Sequence, residues 1–186
     1  MGRFAVIDTE TTWGDELMSI GTVIADSESF ELIDQKYYIL LPFKNHGGMY
    51  TDALYANGIM PDLECTREKA MRELVRFLSA YDVGTIFAYN AAFDYRHLPE
   101  IRHFKWHDIM RLAAYKQHNP KIPHCADCYG TGRLKRGYGM ESIYRLLSED
   151  LTYCEMHNAL TDATDELRIM KLLNHDLGIY SVAKIG

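Results

Sequence analysis

The chain has 186 residues, of which 47% are hydrophobic, 25% charged and 12% aromatic. This is the profile of one globular domain able to bury roughly 70% of its unfolded surface, and it excludes disordered, collagen-like and coiled-coil chains. Twenty Lys plus Arg against 26 Asp plus Glu give a formal net charge of −6, which argues against sequence-blind coating of a nucleic-acid backbone. No apolar run reaches the ~18–20 residues of a membrane-spanning helix, and the N-terminal apolar run before Asp8 is too short for a signal-peptide core. A cytoplasmic protein with no membrane partner is expected. Cys65, Cys125, Cys128 and Cys154 are too few and too scattered for a disulfide framework, leaving reduced thiols or a metal site.

Residues 3–7 form an apolar run that stops abruptly at acidic residues, which predicts a buried strand whose end reaches solvent. Residues 17–25 and 30–41 are rich in β-branched and aromatic side chains and are separated by the polar turn Asp26-Ser27-Glu28-Ser29. Together these three segments predict an antiparallel meander. Residues 42–64, with Gly47-Gly48 and Pro61, have no clean period and read as loop with short helical pieces. A helix is expected from the N-cap Thr66 to about Tyr81, because Ala70, Met71, Leu74, Val75, Phe77 and Leu78 recur at helical spacing. Residues 84–89 read as a fourth strand, and 91–101, 108–116 and 140–147 as helices. The last helix, 159–175, carries Leu160, Ala163, Leu167, Met170 and Leu173 on one face. A strand meander followed by alternating strand and helix predicts an α/β domain with a mixed sheet.

The first strand ends in Asp8-Thr-Glu10. Residues i and i+2 of a strand share a face, so two carboxylates stand side by side, and their repulsion is costly unless a cation lies between them. Hard divalent ions suit such an all-oxygen set. An acidic turn is nevertheless the commoner reading of Asp-x-Glu alone. Two further segments shift the balance: Asn90-Ala-Ala-Phe93-Asp94 follows the fourth predicted strand, and His157-Asn-Ala-Leu-Thr-Asp162 opens the last helix. In order, the three resemble the signature motifs of the DEDDh 3′–5′ exonucleases, Asp-x-Glu, Asn-x-x-x-Asp and His-x-Ala-x-x-Asp.

The resemblance spans nearly the whole chain. It implies a ribonuclease-H-like fold, a mixed five-stranded sheet flanked by helices, in a single exonuclease domain of residues 1–186. It also implies a two-metal mechanism with Mg²⁺ or Mn²⁺, which the residue types support independently. Carried over residue by residue, Asp8 would bridge both ions, Glu10 and Asp162 would complete the site of the ion holding the nucleophile, and Asp94 would hold the second. His157 would be the general base, since an imidazole titrating near neutrality can take a proton from water. The competing reading of His157 is a surface histidine capping a helix.

Thr11, Thr12 and Trp13 stand where the family contacts the terminal nucleotide. An indole there either stacks on the 3′-terminal base or packs under a loop. Asn90 is expected to support the site, Phe93 to pack rather than stack, and Trp106-His-Asp108 to resemble a supporting segment of the family. The family reads an open strand end near Gly47-Gly48, but the His-Gly-Ile type of signature common in proofreading members is replaced by Tyr55-Ala-Asn-Gly58-Ile59. Single-stranded nucleic-acid 3′ ends are the implied partner, and a homodimer or a replication or repair partner stays open. An oligoribonuclease-like activity on short RNA and a catalytically silent binding module are the alternatives, the second disfavoured by the intact set of five.

Residues 117–137 exceed what a minimal family member would need between two helices. Cys125-x-x-Cys128-x-Gly-x-Gly resembles half of the zinc-binding repeat of J-domain chaperones. A structural zinc needs four ligands; His118, His124 or Cys154 could add to the pair, and an ordinary loop with two thiols is the other reading. Residues 96–138 hold nine Lys plus Arg against three acids and five of the eight histidines. That stretch reads either as solvated helix faces or as a track for the backbone beside the cut site.

Overall fold

The first strand, β1 (Arg3–Thr11), runs four residues beyond its apolar part, because the acidic residues go on pairing with β2 (Leu17–Asp26), from Asp8 opposite Gly21 to Glu10 opposite Ser19. A bulge after Glu10 ends the regular ladder beside the acidic pair, and such irregularities re-aim side chains at strand ends. β3 (Leu32–Leu40) completes the expected antiparallel meander. The computed structural model describes residues 2–42 and 49–186, so the Gly47-Gly48 segment lies outside the described residues.

After them come α1 (Met49–Leu54), a 3₁₀ turn, and the short β4 (Leu63–Cys65), which joins the meander edge in parallel with β3. α2 (Arg67–Ala80) matches the helix predicted there, burying Ala70, Met71, Leu74, Phe77 and Leu78. β5 (Thr85–Ala88) lies parallel to β1. The helix expected over 91–101 is split: α3 (Ala92–His97) stops at Leu98, and Pro99–Ile101 makes a 3₁₀ turn. Proline disfavours helical backbone in the residue before it.

The expected helix at 108–116 requires a larger correction. Residues 105–108 are a strand, β6 (Lys105–Asp108), parallel to β5, and α4 is only Met110–Ala113. The alternation of Lys105, Trp106, His107 and Asp108, with Trp106 fully buried, is the period of a strand. α5 (Met140–Ser148) and α6 (Ala159–Leu173) follow the sequence reading closely, and β7 (Lys184–Ile185) pairs with β6 at the far edge.

The sheet order is therefore β4-β3-β2-β1-β5-β6-β7, mixed and seven-stranded rather than five-stranded, the extra strands being short edges around the expected heart. Alternating residues of β1 feed two cores. Phe4 and Val6 face α5 and α6, while Ala5 and Ile7 face α2. Among the described residues no helix is long and apolar enough to cross a membrane.

α6 packs chiefly on β1 and β2, and Gly21 sets how closely it can do so. A Cβ at Gly21 would stand 2.0 Å from the Ala159 carbonyl oxygen and 2.4 Å from the Leu160 nitrogen. Since Gly21 is the partner of Asp8 across the ladder, this contact brings the start of α6 to the acidic end of β1. Gly21→Ala forces backbone apart and is expected to lower stability by about 1–3 kcal/mol or more, the range of overpacked cores. Denaturant titration measures this, and a neutral result would contradict the close seating of α6.

Candidate active site

Three elements from different parts of the chain meet at the carboxyl end of β1. Asp8 and Glu10 point to the α6 face, as their spacing requires. Thr9 points the other way, and its hydroxyl donates to Asp94 Oδ1 at 2.7 Å. α3, which carries Asp94, is aimed by the turn before it. Asn90 has a left-handed φ of 60°, a conformation asparagine tolerates better than most residues, and its amide donates to Asp108 Oδ1 at 3.0 Å. The Met110 amide donates to the same oxygen. Buried Asp108 thus ties β6 to the loop that presents Asp94, the supporting part expected of Trp106-His-Asp108.

The third element is the start of α6. Asn158, fully buried, caps the helix by accepting from the Thr161 amide at 3.3 Å. Its side-chain amide also donates to the Tyr37 hydroxyl at 3.1 Å and the Ala53 carbonyl at 2.9 Å. This locks α6 to β3 and α1 and presents His157 just outside, at φ 52° with its ring exposed. Glu10, His157 and Asp162 each offer a ligand atom within 4.8 Å of the others, the one such group of three or more among the described residues. His157 Nδ1 also lies 3.8 Å from Glu155 Oε1.

Burial dominates the electrostatics. It raises the carboxyls of Glu10 and Asp94 to about 7 and that of Asp162 to about 9, and pushes Asp8 and Glu166 well above the carboxylate range. Repulsion within the cluster adds to this, with Glu166 the charge acting most strongly on Asp8. Asp8 Oδ2, Asp162 Oδ1 and Glu166 Oε2 are buried and have no hydrogen-bond partner among the described residues. Buried carboxylates with unanswered oxygens need a proton or a cation. An all-oxygen donor set with an adjacent imidazole fits Mg²⁺ or Mn²⁺.

Glu166 and Glu155 are the residues the sequence motifs miss. Glu166 lies one helical turn beyond Asp162 and therefore on the same face; that spacing was the available signal. Glu155 sits in the irregular chain before α6, where no periodicity marks it.

A groove of about 640 Å³ opens beside Glu10 and His157, lined by Thr11, Thr12, Trp13, Tyr50 and Met156 among others. Trp13 is 85% exposed, so it does not pack under a loop. The Thr12 hydroxyl accepts from the Gly14 and Glu16 amides and closes the turn that carries the indole. Phe93 does not line this groove; its ring packs on His97 with centroids 4.4 Å apart. On the other side a cleft is lined by Asp8, Asn90, Arg133, Tyr138 and Glu166 among others. Arg133, from the 117–137 insert, lies over the rings of Tyr129 and Tyr138 at 4.9 and 5.0 Å.

The insert folds back through isolated bridges, Tyr115 with Arg133 and Cys128 with Leu134. Cys125 and Cys128 are free thiols, and they form no three-ligand group with His118, His124 or Cys154 among the described residues. The Lys116 ammonium and the Gln117 amide hold the loop through the His124 and Thr131 carbonyls instead. The basic stretch is partly neutralised, since Arg96 pairs with Asp15, Lys121 with Glu149 and Lys135 with Asp127.

The raised carboxyls predict a sign for pH dependence. Without metal, the folded state keeps protons that the unfolded chain releases above its ordinary carboxylate range. Stability should therefore fall as pH rises from about 5, through 7, towards 9. Melting temperatures in chelator should decline across that window, and added Mn²⁺ should flatten the decline.

No protein-family model and no curated protein matches the chain. Solved structures do. A 3′-exonuclease that recognises the 3′ end of histone mRNA stem-loop superposes with a TM-score of 0.63 at 15% identity, over 94% of this chain and 64% of that one. This chain thus spans less than two thirds of that protein's length. Exonuclease X in complex with 5′ overhanging duplex DNA gives 0.57 at 18% identity, over 96% and 98% of the two chains. The nuclease domain of 3′hExo, a DEDDh family member bound to rAMP, gives 0.59 at 14% identity, over 91% and 90%. The chain has the fold of the DEDDh-type 3′-exonucleases.

Proposed function

We propose that the chain is a divalent-metal-dependent 3′–5′ exonuclease acting on single-stranded nucleic-acid ends. The observation that carries this reading is the grouping of Asp8, Glu10, Asp94, His157 and Asp162 at one strand end of that fold, with buried carboxylate oxygens that have no hydrogen-bond partner among the described residues. Two Mg²⁺ or Mn²⁺ ions held by the four carboxylates would supply Lewis-acid activation and neutralise charge on the phosphoryl group and the leaving oxygen.

The side chains divide the remaining work. His157, exposed and free to swing over Glu10 and Asp162, takes a proton from the attacking water as its oxygen bonds to phosphorus. The P–O3′ bond breaks and the leaving oxygen takes a proton from solvent, releasing a 5′-mononucleotide and a chain with a new 3′ hydroxyl. The exposed indole of Trp13 offers a stacking surface for the terminal base, and stacking of this kind tolerates any base. Arg133 on its two tyrosine rings supplies a fixed cation on the opposite lip of the cluster, suited to a backbone phosphate.

The test is hydrolysis of 5′-labelled single-stranded DNA, RNA and dinucleotides side by side with Mn²⁺. Shortening from the 3′ end is expected, and an inert wild-type protein would favour the silent-module reading. His157→Ala should slow the reaction by about 10²–10⁴-fold, the usual worth of a general base, with melting temperature retained. Full activity in either His157→Ala or Asp8→Asn would overturn the assignment. Trp13→Ala should weaken oligonucleotide binding by about 1–3 kcal/mol, read by fluorescence anisotropy on an Asp8→Asn background.

A further inference from the structure

The three sequence motifs account for four carboxylates, yet the described residues place a fifth among them. Glu166 follows Asp162 by one turn of α6, and both are directed at β1, 2% and 3% exposed. The Tyr89 backbone amide hydrogen-bonds the Glu166 carboxylate, while its Oε2 has no partner among the described residues.

Its neighbour Asp165 shows how this helix treats a buried acid that is purely structural. Asp165 is as buried as Glu166, but Arg168 reaches one of its oxygens at 2.6 Å and the Tyr153 hydroxyl the other at 2.7 Å. Glu166 has no cation or hydroxyl of this kind on its Oε2 among the described residues. Asp8 Oδ2 and Asp162 Oδ1 are likewise buried without a partner among the described residues, and Glu166 shares with Asp8 the wall of the cleft on the Arg133 side. That cleft is distinct from the groove lined by Glu10, Trp13 and His157. An enclosed carboxylate is costly unless it is neutralised, and two buried carboxylates that line one cleft from a strand and a helix offer oxygen donors to a hard cation.

We propose that Glu166 is a further ligand of the metal centre, binding a divalent cation jointly with Asp8 from the Arg133 side of the cluster. The assignment rests on the metal-dependent reading above. A fifth carboxylate raises the negative charge facing the ions and so tightens their retention.

The test is Mn²⁺ titration of the full chain, followed by calorimetry and by loss of the free-ion paramagnetic signal, for wild type, Glu166→Gln, Glu166→Asp and Asp8→Asn. Glu166→Gln should bind at least one Mn²⁺ about 10–100-fold more weakly, the scale on which metal sites respond to lost supporting groups. Glu166→Asp, which keeps the charge but withdraws it by a methylene, should fall between. In chelator, Glu166→Gln should melt no lower than wild type, because the amide keeps the shape of the carboxyl and needs neither a proton nor a cation to neutralise it. Unchanged stoichiometry and affinity in Glu166→Gln, with binding lost in Asp8→Asn, overturns the role of Glu166 and leaves the metal centre standing. Wild type that binds no Mn²⁺ overturns both. Should Glu166→Gln fail to fold, unchanged affinity in Glu166→Asp is sufficient to overturn the assignment.

Discussion

Repulsion among buried carboxylates is the constraint around which this molecule is arranged. Asp8, Glu10, Asp94, Asp162 and Glu166 are drawn out of water at one strand end, and burial raises the proton affinity of each. Left to themselves such groups would splay apart or pull the elements that carry them into solvent. They stay together because each of those elements is also fastened to its neighbours by specific contacts.

The fastenings are specific. Gly21 lets the backbone of α6 touch β2 opposite Asp8, and Asn158 pins the same helix start to Tyr37 and Ala53. Asp108 holds the Asn90 turn, and Thr9 reaches through from the opposite face of β1 to grip Asp94. None of these four contacts lies within a single secondary element. A site under such strain is stable only when the two cores on either side of the sheet are already formed, which links its geometry to the global fold. The left-handed backbone at Asn90 and His157 is further strain of the kind that collects at functional positions.

The cluster is open on two sides with different chemistry. One lip carries an exposed indole and the His157 imidazole; the other carries Arg133, delivered by the 117–137 insert and braced by Tyr129 and Tyr138. The insert thus meets the site through a cation, while its cysteines stay apart from any three-ligand group among the described residues. Several bases of the surrounding stretch are spent on local ion pairs, so its net positive charge is less available than a count suggests. Arg133 lines the cleft that Asp8 and Glu166 share.

By itself the sequence determined the parts whose physics is local. Strand alternation put Asp8 and Glu10 on one face, helical periodicity located α2, α5 and α6, and the three motif spacings named the candidate site residues in order. The reading failed where pairing with a distant partner outweighs local preference. Residues 105–108 became a strand through β5, and the edge strands β4 and β7, only three and two residues long, have no period to detect. Only the tertiary structure decided that Gly21 is a contact surface, that Trp13 stands in solvent, and that Glu166 joins the acids. Each of these depends on what lies across the fold from a residue, and burial and the charge of a facing side chain are properties of the packed molecule, set by elements far apart in the chain.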